Sequence, residues 1–170
     1  MKEINDSYIQ EQAHGANQYL TFILGDEEYG VNILKVQEIR GWDSATAIPN
    51  TPDYVLGVVN LRGVVVPIVD LRKRFSLANA EFGPTTVVVI AKASQSGKER
   101  TVGMVVDAIS DVYNISPDAM SEAPDLGSAV TTEFITGLTT VDEKMVILLD
   151  VDLLINSGVL QLNAEEKEVS

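Results

Sequence analysis

Gly57-Val-Val-Asn-Leu-Arg-Gly-Val-Val-Val-Pro-Ile-Val-Asp70 reads as two apolar strands around a tight turn, and its outline returns as Gly137-Leu-Thr-Thr-Val-Asp-Glu-Lys-Met-Val-Ile-Leu-Leu-Asp150. The apolar positions 58, 61, 65, 66, 68 and 69 stay apolar in the second copy. Upstream, Gly30–Ile39 matches Gly103–Val112 in the same way. Positions 31, 33, 36 and 39 fall on Met104, Val106, Ile109 and Val112, while Glu38 falls on Asp111. A kept register keeps the same side chains on the core face, because a slip of one residue inverts a strand. The repeat therefore predicts a mainly β protein of two subdomains on one strand plan, about 18–80 and 84–158, within one domain over 18–158. Each holds roughly five short strands, few enough to need closure into a small barrel or packing against a partner.

Outward from the repeat, Gln18–Leu24 is a β-branched and aromatic run that ends at the turn signal Gly25-Asp26. Tyr29–Ile33 answers it as a hairpin partner. The spacing of Leu34, Val36, Glu38 and Ile39 predicts a short helix over 34–40, stopped by Gly41. Pro49 and Pro52 force an extended or turned segment. Tyr54–Asn60 and Val64–Val69 form a strand pair in which Pro67 points to an edge strand or a bulge. In the second half, Thr85–Ala91 and Thr101–Val106 read as strands around a polar turn over 94–100. Glu133–Thr140 and Met145–Asp150 flank the turn Asp142-Glu143-Lys144, and Asp152–Asn156 opens a closing helix. The composition of 118–131 predicts only a variable connection. Residues 1–17 and 163–170 are mostly polar, and 1–17 and 159–170 read as solvated tails.

The formal charge of −13 over 170 residues argues against phosphate backbones and anionic lipid as partners. With no cysteine, the chain forms no disulfide, thiolate nucleophile or cysteine-ligated metal site. The N-terminus lacks the apolar stretch of a signal peptide, and the apolar runs, such as Met145–Leu149, fall far short of the roughly 20 residues that span a bilayer. A soluble, cytoplasmic protein that does not insert into the membrane is expected.

Catalytic chemistry has little to work with. The single histidine, His14, sits in the polar N-terminal stretch, and no GxGxxG, GxxxxGK[ST] or HExxH occurs. Ser96-Gly97-Lys98 reads as a hairpin turn, since Lys92 stands where a phosphate loop needs glycine. Asp26-Glu27-Glu28 lacks the alternating spacing of a calcium loop and reads as a solvated turn. Asp70 and Asp150 are equivalent in the repeat. They fit helix N-caps better than a shared-proton dyad, because neither stands in an Asp-Thr/Ser-Gly turn. No enzyme, cofactor or metal is expected. Arg62 stands out, a guanidinium in the tight turn Asn60-Leu61-Arg62-Gly63. Two readings hold together: an ion pair folded back onto Glu38 or Asp70, and a planar multi-donor anchor at a protein interface.

Three stretches carry a resemblance: Leu24-Gly-Asp-Glu-Glu-Tyr-Gly-Val-Asn-Ile-Leu-Lys-Val-Gln-Glu-Ile-Arg40, Asn60-Leu-Arg-Gly-Val-Val-Val-Pro-Ile-Val-Asp-Leu-Arg72 and Val102-Gly-Met-Val-Val-Asp107. Together they resemble the CheW-like domain family of bacterial chemotaxis over about 18–158. The resemblance implies two intertwined five-stranded β-barrels with a few short helices. It also implies a scaffold that joins the cytoplasmic tips of chemoreceptors to the histidine kinase CheA, so that receptors control autophosphorylation. Such a protein is expected to be a monomer when free and recruited to membrane-associated receptor arrays. By motif position, Val36, Glu38, Ile39, Gly57 and Arg62 are the implied receptor-facing set, flanked by Val87 and Val112 from the second barrel. Gly103 and Val105 are the implied kinase-facing residues. The second half has Thr140-Val-Asp-Glu143 where the first has Asn-Leu-Arg-Gly, so only one half carries the arginine turn.

Overall fold

The computed structural model describes residues 17–77, 81–95, 97–122 and 134–156. Residues 1–16 of the N-terminal tail with His14, the C-terminal tail, Ser96 of the polar turn, Glu133 and residues 123–131 of the variable connection lie outside the described residues. The first half runs β1 (Gln18–Leu24), β2 (Glu27–Asn32), β3 (Val36–Gly41), β4 (Val55–Leu61), β5 (Val64–Asp70) and the short helix α1 (Leu71–Arg74). The second runs β6 (Val87–Gln95), β7 (Lys98–Val106), β8 (Ala108–Asn114), β9 (Ile135–Val141), β10 (Lys144–Leu149) and α2 (Val151–Asn156). The repeat read in the sequence is thus strand for strand. No helix among the described residues is long and apolar enough to cross a membrane.

The strands make two five-stranded sheets, a first in the order β8-β1-β2-β10-β9 and a second in the order β3-β6-β7-β5-β4. Moving each strand to its counterpart in the other half turns one order into the other. Each sheet therefore draws on both halves, and the chain boundary near 80–84 does not separate the sheets. Parallel pairing of β10 with β2, and of β5 with β7, joins the halves. Neither sheet closes into a barrel. The connection after β3 reaches β4 through the isolated bridge Thr46↔Val58, and the connection after β8 reaches β9 through Ser121↔Leu138. In the first connection Pro49 and Pro52 lack the N–H donors that a longer ladder would need.

Gly57 and Gly137 make these bridges possible. Gly57 has φ 141°, and a Cβ there would overlap the Thr46 carbonyl. A Cβ on Gly137 would stand 2.9 Å from the Ser121 carbonyl oxygen.

The helix expected over 34–40 is not formed. Asn32 Oδ1 accepts the Leu34 N–H at 2.9 Å and starts one 3-10 turn over Ile33–Lys35, after which Val36 enters β3. β3 then pairs with the β-branched strand β6, with a register shift between Val36 and Glu38. The inserted Gln37 breaks the period of two and imitates helical spacing. β5 is not an edge strand either: it lies between β7 and β4, and Pro67 precedes the parallel ladder, which starts at Ile68↔Gly103.

Burial follows the alternation of the strands. Leu20, Phe22, Leu24, Val69, Val89, Met104 and Leu149 fill the space between the sheets. Leu61, Val66, Ile68, Val88, Ile90 and Val105 fill the concave inner face of the second sheet. Tyr19, Ile115, Val146 and Leu148 do the same in the first. Each fully buried side chain of this size contributes about 1.5–3 kcal/mol.

Candidate functional site

β4 and β5 meet in a two-residue hairpin, Leu61 pairing with Val64. Arg62 has φ 52° and Gly63 φ 88°, the doubly left-handed turn that matches the twist of the flanking strands. Asn60 Oδ1 accepts the Gly63 N–H at 2.8 Å and holds this turn. The turn lifts Arg62 out, leaving its side chain 66% exposed, and the guanidinium Nη2 donates to Glu38 Oε1. Glu38 stands on β3, the opposite edge of the same sheet, so the pair draws the two edges of the curled sheet together. Of the two partners expected for Arg62, Glu38 is the one observed.

Asp70 serves a different cation. Its carboxylate accepts Arg72 Nε at 2.9 Å and Nη2 at 3.0 Å, and it caps α1 by accepting the Arg72 N–H at 3.0 Å. Arg72 Nη1 donates to Asp107 Oδ1 at 2.9 Å, and its guanidinium lies over Phe82 at 4.9 Å. Hydrogen bonds donated to Asp70 above all raise the Arg72 pKa further. Asp150 accepts the Leu153 N–H at 3.0 Å as the cap of α2. Both equivalent aspartates are engaged by their own helices, as the cap reading expects. Among the described residues, no group of three or more His, Asp or Glu is placed to hold a metal ion.

The residues singled out in the sequence fall into three groups. Val36 pairs with Ala91, Ile39 with Val89 and Val112 with Leu20, and all three partners belong to the inter-sheet core. Directly paired residues share a face. Val36, Ile39 and Val112 therefore turn to the inter-sheet side, where Val87 also packs. Ile39 and Val112 are 42% and 43% exposed, on the edge strands β3 and β8. The second group, Glu38 and Arg62, sits at the mouth of the second sheet, because the bulge at Gln37 sends Glu38 to the face opposite Val36. Gly57 is buried and acts through its backbone. The third group is Gly103 and Val105. Both are buried on β7, and a Cβ at Gly103 would stand 2.5 Å from Ile68 Cδ1. They offer no side chain to a partner in this structure and support the sheet from inside.

Three neighbours were not legible beforehand. Val64 and Val65, 55% and 64% exposed, follow Arg62 in the hairpin. Val64 lines a concavity with Gln37, Leu61, Arg62, Lys92 and Thr101. The pair reads as strand core in the sequence. Only the position of Gly63 at a hairpin tip signals that residues 64 and 65, paired with β4, extend past β7. Lys92 gives no signal of its own, since it joins the site only through the pairing of β6 with β7.

The arrangement can bind: it offers an apolar edge, a guanidinium at a hairpin tip and an acid to orient it. Comparison with known proteins identifies the family and the fold. The model of the CheW-like domain matches residues 18–159. The chain is 46% identical over 145 residues to the chemotaxis protein CheW of Klebsiella aerogenes, covering 85% of both chains. It is 40% identical over 139 residues to the chemotaxis protein CheW of Rhizobium meliloti, covering 82% of this chain and 87% of the relative. The crystal structure of the scaffolding protein TtCheW from Thermoanaerobacter tengcongensis superposes with a TM-score of 0.75 at 30% identity, over 87% of this chain and 99% of that one.

Proposed function

The chain belongs to the CheW-like domain family, and from that premise we propose that it is a non-enzymatic chemotaxis scaffold that couples chemoreceptor tips to the histidine kinase CheA. The observation that carries this reading is that one edge strand, β3, carries Val36 and Ile39 on its inter-sheet face and, on its other face, the Glu38 that pairs with Arg62. An amphipathic helix seeks such a surface: apolar anchors at helical spacing against Val36, Ile39, Val87 and Val112, and a polar group for Arg62 at the rim. An exposed ion pair is itself worth about 1 kcal/mol or less. Arg62 and Glu38 are therefore free to trade each other for a partner's groups at little expense to the fold. In this reading the chain works at the cytoplasmic side of receptor arrays.

Kinase autophosphorylation, measured with a cognate CheA and receptor fragments, tests the proposal. Wild-type chain is expected to raise the rate only when receptor and kinase are both present. Ile39→Lys and Arg62→Ala are expected to lose most of that stimulation while unfolding within about 1 kcal/mol of wild type. Full stimulation by both variants would remove this surface as the receptor contact. No stimulation by folded wild type would remove the coupling role.

A further inference from the structure

We propose that the mouth of the first sheet is a docking pocket for an arginine or lysine side chain of a protein partner. This inference stands apart from the receptor surface, which lies on the second sheet and the inter-sheet side. It starts from Glu28 on β2. Glu28 is only 6% exposed, and its Oε2 has no hydrogen-bond partner. It pairs with Ile23 on one side and Val146 on the other, so its carboxylate points to the concave inner face that Val146 and Leu148 line. A buried carboxylate oxygen without a donor is unfavourable, and a donor brought from outside would relieve it.

The internal repeat supplies the control. At the mouth of the second sheet the equivalent edge positions are Glu38 and Arg62, and they close on each other as an ion pair. At the mouth of the first sheet the corresponding residues are Asp111 and Asp142, two acids. Asp142 occupies the same left-handed turn position, φ 51° against 52° for Arg62. The cation present in one half is thus replaced by an anion in the other, at the mouth of the sheet whose inner face holds the Glu28 Oε2 without a donor. Tyr113 stands among these groups. Burial first, then the negative charges of Glu28 and Asp111, push its hydroxyl pKa up, with Asp142 adding to them.

The occupant follows from this chemistry. A basic side chain supplies several N–H donors and a full positive charge on a long stem, so it can reach Glu28 and pass between Asp111 and Asp142. Tyr113, which pairs with Tyr19 and packs with the cluster that lines this inner face, offers apolar contact beside it. A bare metal ion suits the place less well, because these carboxylates do not form a compact ligand set.

The test is a titration of the full chain, followed by amide chemical shifts, with the capped tripeptide acetyl-Leu-Arg-Leu-amide. Its citrulline counterpart is the neutral isostere, and calcium chloride the inorganic arm, all at one ionic strength. Saturable shifts around 28, 111–113 and 142 with the arginine peptide are expected, at least about tenfold weaker with citrulline and with Glu28→Gln. Asp142→Arg supplies the missing cation within the chain and is expected to block the site while the chain stays folded. Equal binding of the citrulline peptide, or unaltered binding by folded Glu28→Gln and Asp142→Arg, would overturn the proposal. Shifts at the same residues from calcium but not from the peptide would also overturn it, in favour of an inorganic cation.

Discussion

The two helix junctions follow one plan with the charges reversed, and they differ in depth. After β5, Arg72 of α1 reaches Asp107 at the junction of β7 and β8, whose other carboxylate oxygen accepts the Gly25 N–H at 2.7 Å. After β10, Asp152 of α2 reaches Lys35 at the junction of β2 and β3 at 2.9 Å and accepts the Ser94 N–H at 2.9 Å. In both, an acid also ties down a backbone N–H near the end of the β1–β2 or β6–β7 hairpin. Arg72 and Asp70 have fully buried side chains, while Lys35 and Asp152 are 34% and 36% exposed. Topology repeats, but the energy of a charge depends on the water left around it. A buried ion without its partner is strongly unfavourable, whereas a half-exposed one is resolvated.

That contrast breaks most easily at Arg72. Arg72→Ala leaves Asp70 buried without its guanidinium and should lower the unfolding free energy by about 3–5 kcal/mol. A loss below about 1 kcal/mol in urea denaturation would mean that burial does not separate the two junctions. A smaller effect is expected from the glycines that admit the bridging segments. Gly57→Ala meets both a φ of 141° and the Thr46 carbonyl, and should lose roughly 2–4 kcal/mol, counting backbone strain with overpacking. Gly137→Ala meets only the Ser121 carbonyl, so thermal unfolding should place it above Gly57→Ala. The reverse order would mean that the second bridge is the tighter one. The smallest effect belongs to Lys35→Met, at most about 1 kcal/mol and fading in high salt. A loss as large as that of Arg72→Ala, persisting in salt, would erase the comparison.

Read from residues alone, the repeat predicted most of the strands. Gly57–Asp70 and Gly137–Asp150 proved to be matched hairpins leading into capped helices, and the caps Asp70 and Asp150 were visible in their strand-to-helix context. β3 was misread, because the bulge at Gln37 breaks the strand's period of two into a helix-like spacing, and only the pairing with β6 shows it to be a bulge. Within the site, Arg62 and Glu38 were both named beforehand and found together. Val64 and Val65 escaped notice because consecutive valines look like core until a hairpin tip is seen to extend past its neighbours. Gly103 and Val105 stood in a recognisable motif, but that motif maintains a buried strand.

By itself the sequence determined most of the strand content, the twofold plan and the acidic, cysteine-free character of the chain. Those properties follow from alternation, turn chemistry and composition, which act over a few residues. Tertiary structure alone decided which strands the halves exchange, that Arg72 is buried while Lys35 is not, and that Arg62 finds an opposite charge across a sheet mouth. These depend on which residues the pairing brings together from distant parts of the chain, and pairing energies are set by the neighbours and the solvent they exclude.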